Sequence, residues 1–246
     1  MEIKIVFEDG YLLVVEKPSG VVVNRAESVK GETIQDWAER KLSILNSQFP
    51  VNEANDFISR AGIVHRLDKE TSGLLIIAKD PETFKLMQTQ FKEREIEKRY
   101  FTLVHGQMPS ISGEIKASVG RLPWSREKFG VLPGGKEAIT LYKCESLYGS
   151  LGQEKYTLLT AFPHTGRTHQ IRIHLKYIGH SIVGDNLYAG RKVYRRDQKF
   201  CGRLFLHAKY IKFMHPYRKE ALVLESELPQ DLQDTLSSLE KIKDYD

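Results

Sequence analysis

Cysteine is almost missing: Cys144 and Cys201 are the only two in 246 residues, far apart and outside any CxxC arrangement. That leaves no disulfide framework and no cysteine zinc site, and it makes a reducing, cytoplasmic setting the expectation. No apolar run approaches the roughly 20 residues that a membrane-spanning helix needs. The opening Met1-Glu2-Ile3-Lys4-Ile5 alternates charged and apolar residues where a secretory signal would carry a continuous apolar stretch. There is no Walker A run and no GxGxxG, so neither ATP nor a dinucleotide is suggested as cofactor, and HExxH is missing too. His164, His169, His174 and His180 recur at intervals of five or six residues, not at the three or four of helical ligand pairs. No metal site is therefore expected. Internal repeats and low-complexity tracts are also absent.

What is present is an ordinary globular composition, 41% apolar and 28% charged, in a chain long enough for a substantial core. The net charge of +5 favours a polyanionic partner without identifying one. Strand candidates flank the hairpin dipeptide Asp9-Gly10, at Ile3–Phe7 and Tyr11–Glu16, and Val21–Val23 resumes extended structure after Lys17-Pro18-Ser19-Gly20. Apolar spacing predicts helices over Glu32–Leu45, after Pro81, over Thr168–Ile178 and over Pro229–Lys243, the last with Leu232, Leu236 and Leu239 on one face. A polar loop is expected from Asn46 to Asp56. Further strands are expected at Leu74–Ala78, Glu97–Val104, Gly113–Gly120, Ala138–Tyr148 and Tyr156–Phe162. Leu204–Met214 should pair with Leu222–Leu224. Leu122–Gly135, with Arg126 and Lys128, reads as a surface loop, and so does the basic stretch Gly190–Arg203. Many strands with few regularly alternating helices imply an α+β fold with a mixed, mostly antiparallel sheet. No linker divides the chain, so one domain over residues 1–246 is expected.

Two stretches concentrate the chemistry. In Ile63–Lys79 a cluster of His65, Arg66, Asp68, Thr71, Ser72 and Gly73 runs directly into the apolar Leu74–Ala78. A polar loop delivered onto a buried strand mounts Asp68 rigidly, as catalytic loops often are. The same residues also suit a turn in which Asp68 only caps backbone amides. In Pro163–Leu175, Arg167 and Arg172 with three histidines, Thr168 and Gln170 crowd a helix start, where anions bind readily. An exposed polar helix start with a basic face fits equally. Glycosidase chemistry at Asp68 would need a second carboxylate across the bond, and Glu70 lies on the same loop. A nucleophilic Ser72 lacks the GxSxG elbow.

His65-Arg66-Leu67-Asp68 with Thr71-Ser72-Gly73 resembles the signature of the RluA-type pseudouridine synthases. Four more blocks resemble that family in order: Asp9–Val23 with Lys17-Pro18-Ser19-Gly20; Lys98-Arg99-Tyr100; Gly166–Leu175 followed by Gly179-His180 and Gly184-Asp185 with Tyr188; and Leu206-His207-Ala208 with His215-Pro216. The resemblance implies an enzyme that detaches uracil from the ribose C1′ of a uridine in RNA, rotates it and rejoins it through C5, without a cofactor. By resemblance Asp68 is the essential carboxylate, as nucleophile or as the base that starts elimination. Arg172 is the arginine that salt-bridges it and keeps it ionised, and Tyr100 is the aromatic that stacks on the target base. The resemblance further implies that the uridine flips out of its stack, that Arg66 fills the vacated space or meets phosphate, and that Leu206 walls the pocket. His65, Thr71, His169 and Gln170 fall in the same matched blocks as substrate-site candidates. Arg167, Arg191, Arg195 and Arg196 read as RNA backbone contacts. The chain opens directly on the first block, without the S4 RNA-binding domain of some members. It thus resembles the compact ones, which act on tRNA or rRNA stem-loops, and a monomer is expected. A non-catalytic RNA-binding or RNA-folding protein on the same scaffold is the alternative.

Overall fold

A computed structural model describes residues 1–27, 29–42, 56–125, 128–150 and 153–245. The expected loop from Asn46, the last turn of the helix expected to reach Leu45, and Arg126 lie outside the described residues. The chain forms two compact units: Met1–Glu97 with Tyr210–Ser226, and Lys98–Lys209 with Glu227–Asp246.

In the first unit β1 (Lys4–Glu8), β2 (Leu12–Lys17) and β3 (Ser72–Ala78) pair antiparallel. Asp9 makes the β1–β2 turn, because its Oδ1 accepts the amides of Tyr11 and Leu12, each at 2.8 Å. Its Oδ2 faces His215 Nε2 at 2.8 Å. Burial works against ionisation of Asp9, but these amides and the histidine outweigh it and hold the carboxyl below its usual range. Every residue of β3 is buried, as its uninterrupted apolar run requires. The helix expected after Pro81 is present. Here α1 is Ile34–Leu42 and α2 is Pro81–Glu93, with Pro81 in its first turn and Asp80 accepting the Thr83 amide at 2.8 Å. Val21–Val23 joins no strand.

In the second unit β4 (Glu97–His105), β9 (Lys155–Pro163) and β8 (Ile139–Gly149) pair antiparallel in that order. The other edge of β8 is shared: β5 (Ser112–Lys116) pairs along Ile139–Lys143, and β12 (Glu240–Asp244) along Ser146–Gly149. A bulge between Cys144 and Ser146 separates the two. Helix α3 is Gln170–Tyr177 and α5 is Gln230–Ser237. Strand β10 (Leu206–Met214) passes from this unit into the first, where Tyr210–Met214 pairs with β11 (Ala221–Glu225).

The mixed, mostly antiparallel α+β architecture is as expected; besides Val21–Val23, and the break at Ala117-Ser118 in the strand expected over Gly113–Gly120, there are three more local corrections. The expected loop Leu122–Gly135 contains β7 (Phe129–Val131), which closes a hairpin on β6 (Val119–Arg121). The basic stretch from Gly190 holds a helix, α4 (Arg191–Asp197). The C-terminal helix stops at Ser237, and Glu240-Lys241-Ile242-Lys243-Asp244 extends along β8 instead. In each case a neighbouring edge or core, not local spacing, chose the conformation. No described helix is long and apolar enough to cross a membrane.

Gly62 joins the approach to the expected catalytic loop onto β3: its carbonyl accepts the Ala78 amide at 2.8 Å. Its φ is +72°, and a Cβ there would lie 2.1 Å from the Ala78 carbonyl oxygen. Gly62→Ala is expected to cost more than about 2 kcal/mol. An unchanged urea midpoint would contradict this packing.

Candidate active site

Asp68 sits, half-buried, on a loop pinned from both ends. At the leading end, His65 Nε2 accepts the Ile76 amide of β3 at 3.0 Å. The acceptor role of Nε2 assigns the proton to Nδ1, and the ring stacks on Phe91 of α2 with centroids 4.7 Å apart. His65 thus stands in for a ladder carbonyl two residues along from the Gly62 bond. At the trailing end the main-chain carbonyls are held by the Lys17-Pro18-Ser19-Gly20 turn. Lys17 is fully buried, and its ammonium donates to the carbonyls of Pro18, Val21 and Lys69 at 2.7, 2.8 and 3.0 Å. Gly20 donates its amide to the Lys69 carbonyl at 2.8 Å, and Ser19 its hydroxyl to Glu70 at 2.7 Å. Within the loop the Thr71 amide donates to the Asp68 carbonyl at 3.1 Å, while the buried Thr71 hydroxyl has no hydrogen-bond partner. Arg66 is exposed on the same loop.

The second unit carries Tyr100 and Arg172. Tyr100 lies on β4 opposite Ala161 of β9, half-buried against a core that includes Ile171, Leu175 and Leu206. Leu206, the expected pocket wall, is itself buried in that core. Arg172 on α3 is buried, and its Nε and Nη2 donate to the two carboxylate oxygens of the buried Asp185, both at 2.8 Å. Asp185 Oδ1 also accepts the amides of Leu187 and Tyr188 at 3.0 Å. A guanidinium held through two parallel bonds is fixed in plane as well as in place. Arg172 further lies 5.1 Å from the centroid of the Tyr188 ring.

His169 precedes α3 in a left-handed conformation, φ 55°, and its Nδ1 meets the Tyr188 hydroxyl at 2.8 Å. Gln170 is structural: its amide nitrogen donates to Ile139 O and Thr140 Oγ1 at 3.0 Å, while Oε1 accepts from the Thr165 hydroxyl at 2.6 Å and the Arg167 amide at 3.0 Å. Arg167 Nε donates to the Glu137 carbonyl at 3.1 Å. His174, fully buried, sits between Thr140 Oγ1 and the Ala117 carbonyl. Burial lowers its pKa, opposed by that carbonyl. On α4, Arg191 and Arg195 are exposed and Arg196 pairs with Glu154. Among the described residues no cluster of His, Cys, Asp and Glu could hold a metal.

Lys17 and Asp185 lie within the matched motifs, and neither is among the site residues that the sequence suggests. A signal for Lys17 was legible, since a lysine between the apolar runs Leu12–Val15 and Val21–Val23 has little route to solvent. Nothing local marked Asp185 as the arginine's partner, because thirteen residues and a turn separate them. Two measurements follow. Lys17→Met leaves three carbonyls short of a donor, and urea denaturation should show a loss of about 2–4 kcal/mol. Asp185→Ala removes both carboxylate bonds from a buried guanidinium and should cost about 3–5 kcal/mol; a variant as stable as the parent would refute the pairing.

The chain is similar to known proteins over most of its length. The profile of the RNA pseudouridylate synthases matches residues 11–177. The chain is 38% identical over 244 residues to an uncharacterized RNA pseudouridine synthase of Aquifex aeolicus, covering 97% of this chain and 73% of that one. It is 34% identical over 247 residues to the ribosomal large subunit pseudouridine synthase D of Buchnera aphidicola, covering 96% and 73% respectively. The fold matches human RNA pseudouridylate synthase domain containing 1 with a TM-score of 0.75 at 24% identity, over 100% of this chain and 91% of that one.

Proposed function

The chain belongs to the RNA pseudouridylate synthase family, with RluA-type motifs, and from that premise we propose that Asp68 is its essential carboxylate and that a stem-loop of large-subunit ribosomal RNA is its substrate. The enzyme isomerises uridine in RNA to pseudouridine. The observation that carries the choice of Asp68 is its mounting. The carbonyls of Asp68, Lys69 and Glu70 are all bonded, through Thr71, Lys17, Gly20 and Ser19, so the loop is pre-organised before substrate arrives.

In the proposed reaction the target uridine leaves its stack, and Asp68 either attacks C1′ or removes a proton to begin elimination. Uracil departs, turns and bonds through C5, and the proton displaced from C5 is carried away. Arg172 supplies the cation that keeps the carboxylate ionised, its plane set by Asp185. Tyr100 offers the stacking face. Arg66, His65, Thr71, Arg167, His169, Gln170 and Leu206 shape or line the substrate site, and Arg191, Arg195 and Arg196 meet the RNA backbone. Ribosomal RNA is favoured over tRNA because relatives such as the Buchnera protein carry a large-subunit name. The two cysteines, both buried and free, suit a reducing cytoplasm, and the proposed working unit is a monomer.

Asp68→Asn keeps the shape and removes the charge. Pseudouridine formation in large-subunit RNA should fall by at least about a thousandfold, with RNA affinity retained. Turnover at the parent rate would end the assignment of Asp68. Pseudouridine mapping of total RNA with and without the gene would identify the site.

A further inference from the structure

The β6–β7 hairpin ends in a feature that neither the core nor the proposed chemistry uses. Trp124 is 80% exposed at its tip, and it is one of only two tryptophans in the chain. A single exposed apolar side chain is ordinary, but this one is presented rigidly. Leu122–Ser125 is a β-turn closed by the Ser125 amide on the Leu122 carbonyl at 3.1 Å, with Pro123 in the position where its fixed φ favours the turn. Below it the Leu122 amide donates to the Lys128 carbonyl at 2.9 Å, and the Lys128 amide to the Ser125 carbonyl at 3.1 Å. The Leu122 side chain lies over Gly130, where a Cβ would approach it to 2.8 Å. The hairpin's root is packed: Val119, Ala138 and Ile173 form a buried cluster with Phe129, Val131 and Tyr188 against it.

The surroundings are cationic. Arg121 and Lys128 are exposed near the tip and Lys136 is exposed at the hairpin's root, where it bridges Val119, and from Val119 to Lys136 the sequence carries four cations against the single carboxylate of Glu127. The lysine beside the indole, Lys128, weighs against a protein interface, whose centre is depleted of lysine. It suits single-stranded RNA, in which an unpaired base stacks on an aromatic face while cations meet the flanking phosphates.

We propose that Trp124 is a stacking platform for an unpaired base of the RNA substrate, with Arg121 and Lys128 holding the phosphates on either side. This rests on the pseudouridine synthase reading and adds a binding residue to it. The turn fixes the backbone that carries the ring, so little main-chain entropy is lost when a base stacks.

Trp37→Phe makes Trp124 the only indole, and its emission can be followed while a twelve-residue single-stranded oligoadenylate, a duplex of equal length and inorganic polyphosphate are added. Single-stranded RNA should quench the emission by about half, and the duplex and polyphosphate far less, because only unpaired bases stack. In steady-state assays on ribosomal RNA, Trp124→Ala should raise KM about tenfold with little change in kcat, and Trp124→Phe should restore most of the loss. Emission unchanged when anisotropy shows the oligonucleotide bound would overturn the proposal. Equal quenching by polyphosphate would do so too, as would a Trp124→Ala enzyme with the parent KM. The two readings fail separately: base-specific quenching in a protein that forms no pseudouridine would keep Trp124 as an RNA contact and remove the enzyme.

Discussion

A lysine ammonium taken out of water supports the loop on which the proposed chemistry rests. Lys17 gives its three protons to three main-chain carbonyls, two in its own turn and one in the Asp68 loop. A buried charge is tolerable only when its donors are spent in this way. The arrangement makes two segments, 52 residues apart in sequence, into one piece of backbone. Because these bonds go to carbonyls, they fix the main chain of the loop at Lys69 and leave the work of the side chains to other contacts. His65 secures the other end in a related manner, its ring nitrogen taking an amide of β3 that would otherwise need a carbonyl.

The second unit solves the same problem with side-chain carboxylates. Asp185 fixes Arg172 through both oxygens and collects two amides as well. The preceding Gly184 donates its amide at 2.9 Å to buried Asp197 at the end of α4, whose same oxygen faces His105 Nε2 at 3.1 Å. Gly184 has φ +73°, and a Cβ would lie 2.0 Å from the Arg203 carbonyl oxygen, so a side chain has no room there. Two consecutive residues therefore connect the base of the basic helix to the orientation of Arg172. The adjoining loop is stitched to β8 by Gln170 and Thr165. The Asp185 and Gln170 networks are buried and bonded, which is the condition under which they rigidify a core instead of weakening it, whereas Asp197 keeps one buried carboxylate oxygen without a hydrogen bond.

The hairpin that carries Trp124 belongs to the same economy. Its root joins the small cluster around Ile173 of α3, and Tyr188, whose hydroxyl meets both His169 and the Phe129 amide, belongs to that root. Residues that the matched motifs place at the helix start therefore also brace an element with no motif at all.

The sequence by itself determined the elements whose cause is local. Leu74–Ala78 is apolar without interruption and becomes a strand buried throughout; Asp80-Pro81 is a helix start; Asp9-Gly10 is a hairpin turn. It also carried the family, because the ordered blocks around Asp68, Tyr100 and Arg172 are chemistry written as residue identity. What only the tertiary structure decided was pairing. Phe129–Val131 is a strand because β6 lies beside it, and Glu240–Asp244 leaves the helical pattern because β8 offers an unfilled edge. Lys17 can be buried because one carbonyl of a distant loop completes the set that its own turn begins, and Arg172 meets Asp185 across a turn. Spacing along a chain encodes period and propensity, whereas hydrogen bonds between distant segments depend on which backbones the fold brings within 3 Å of each other. That proximity is not present in any local run of residues.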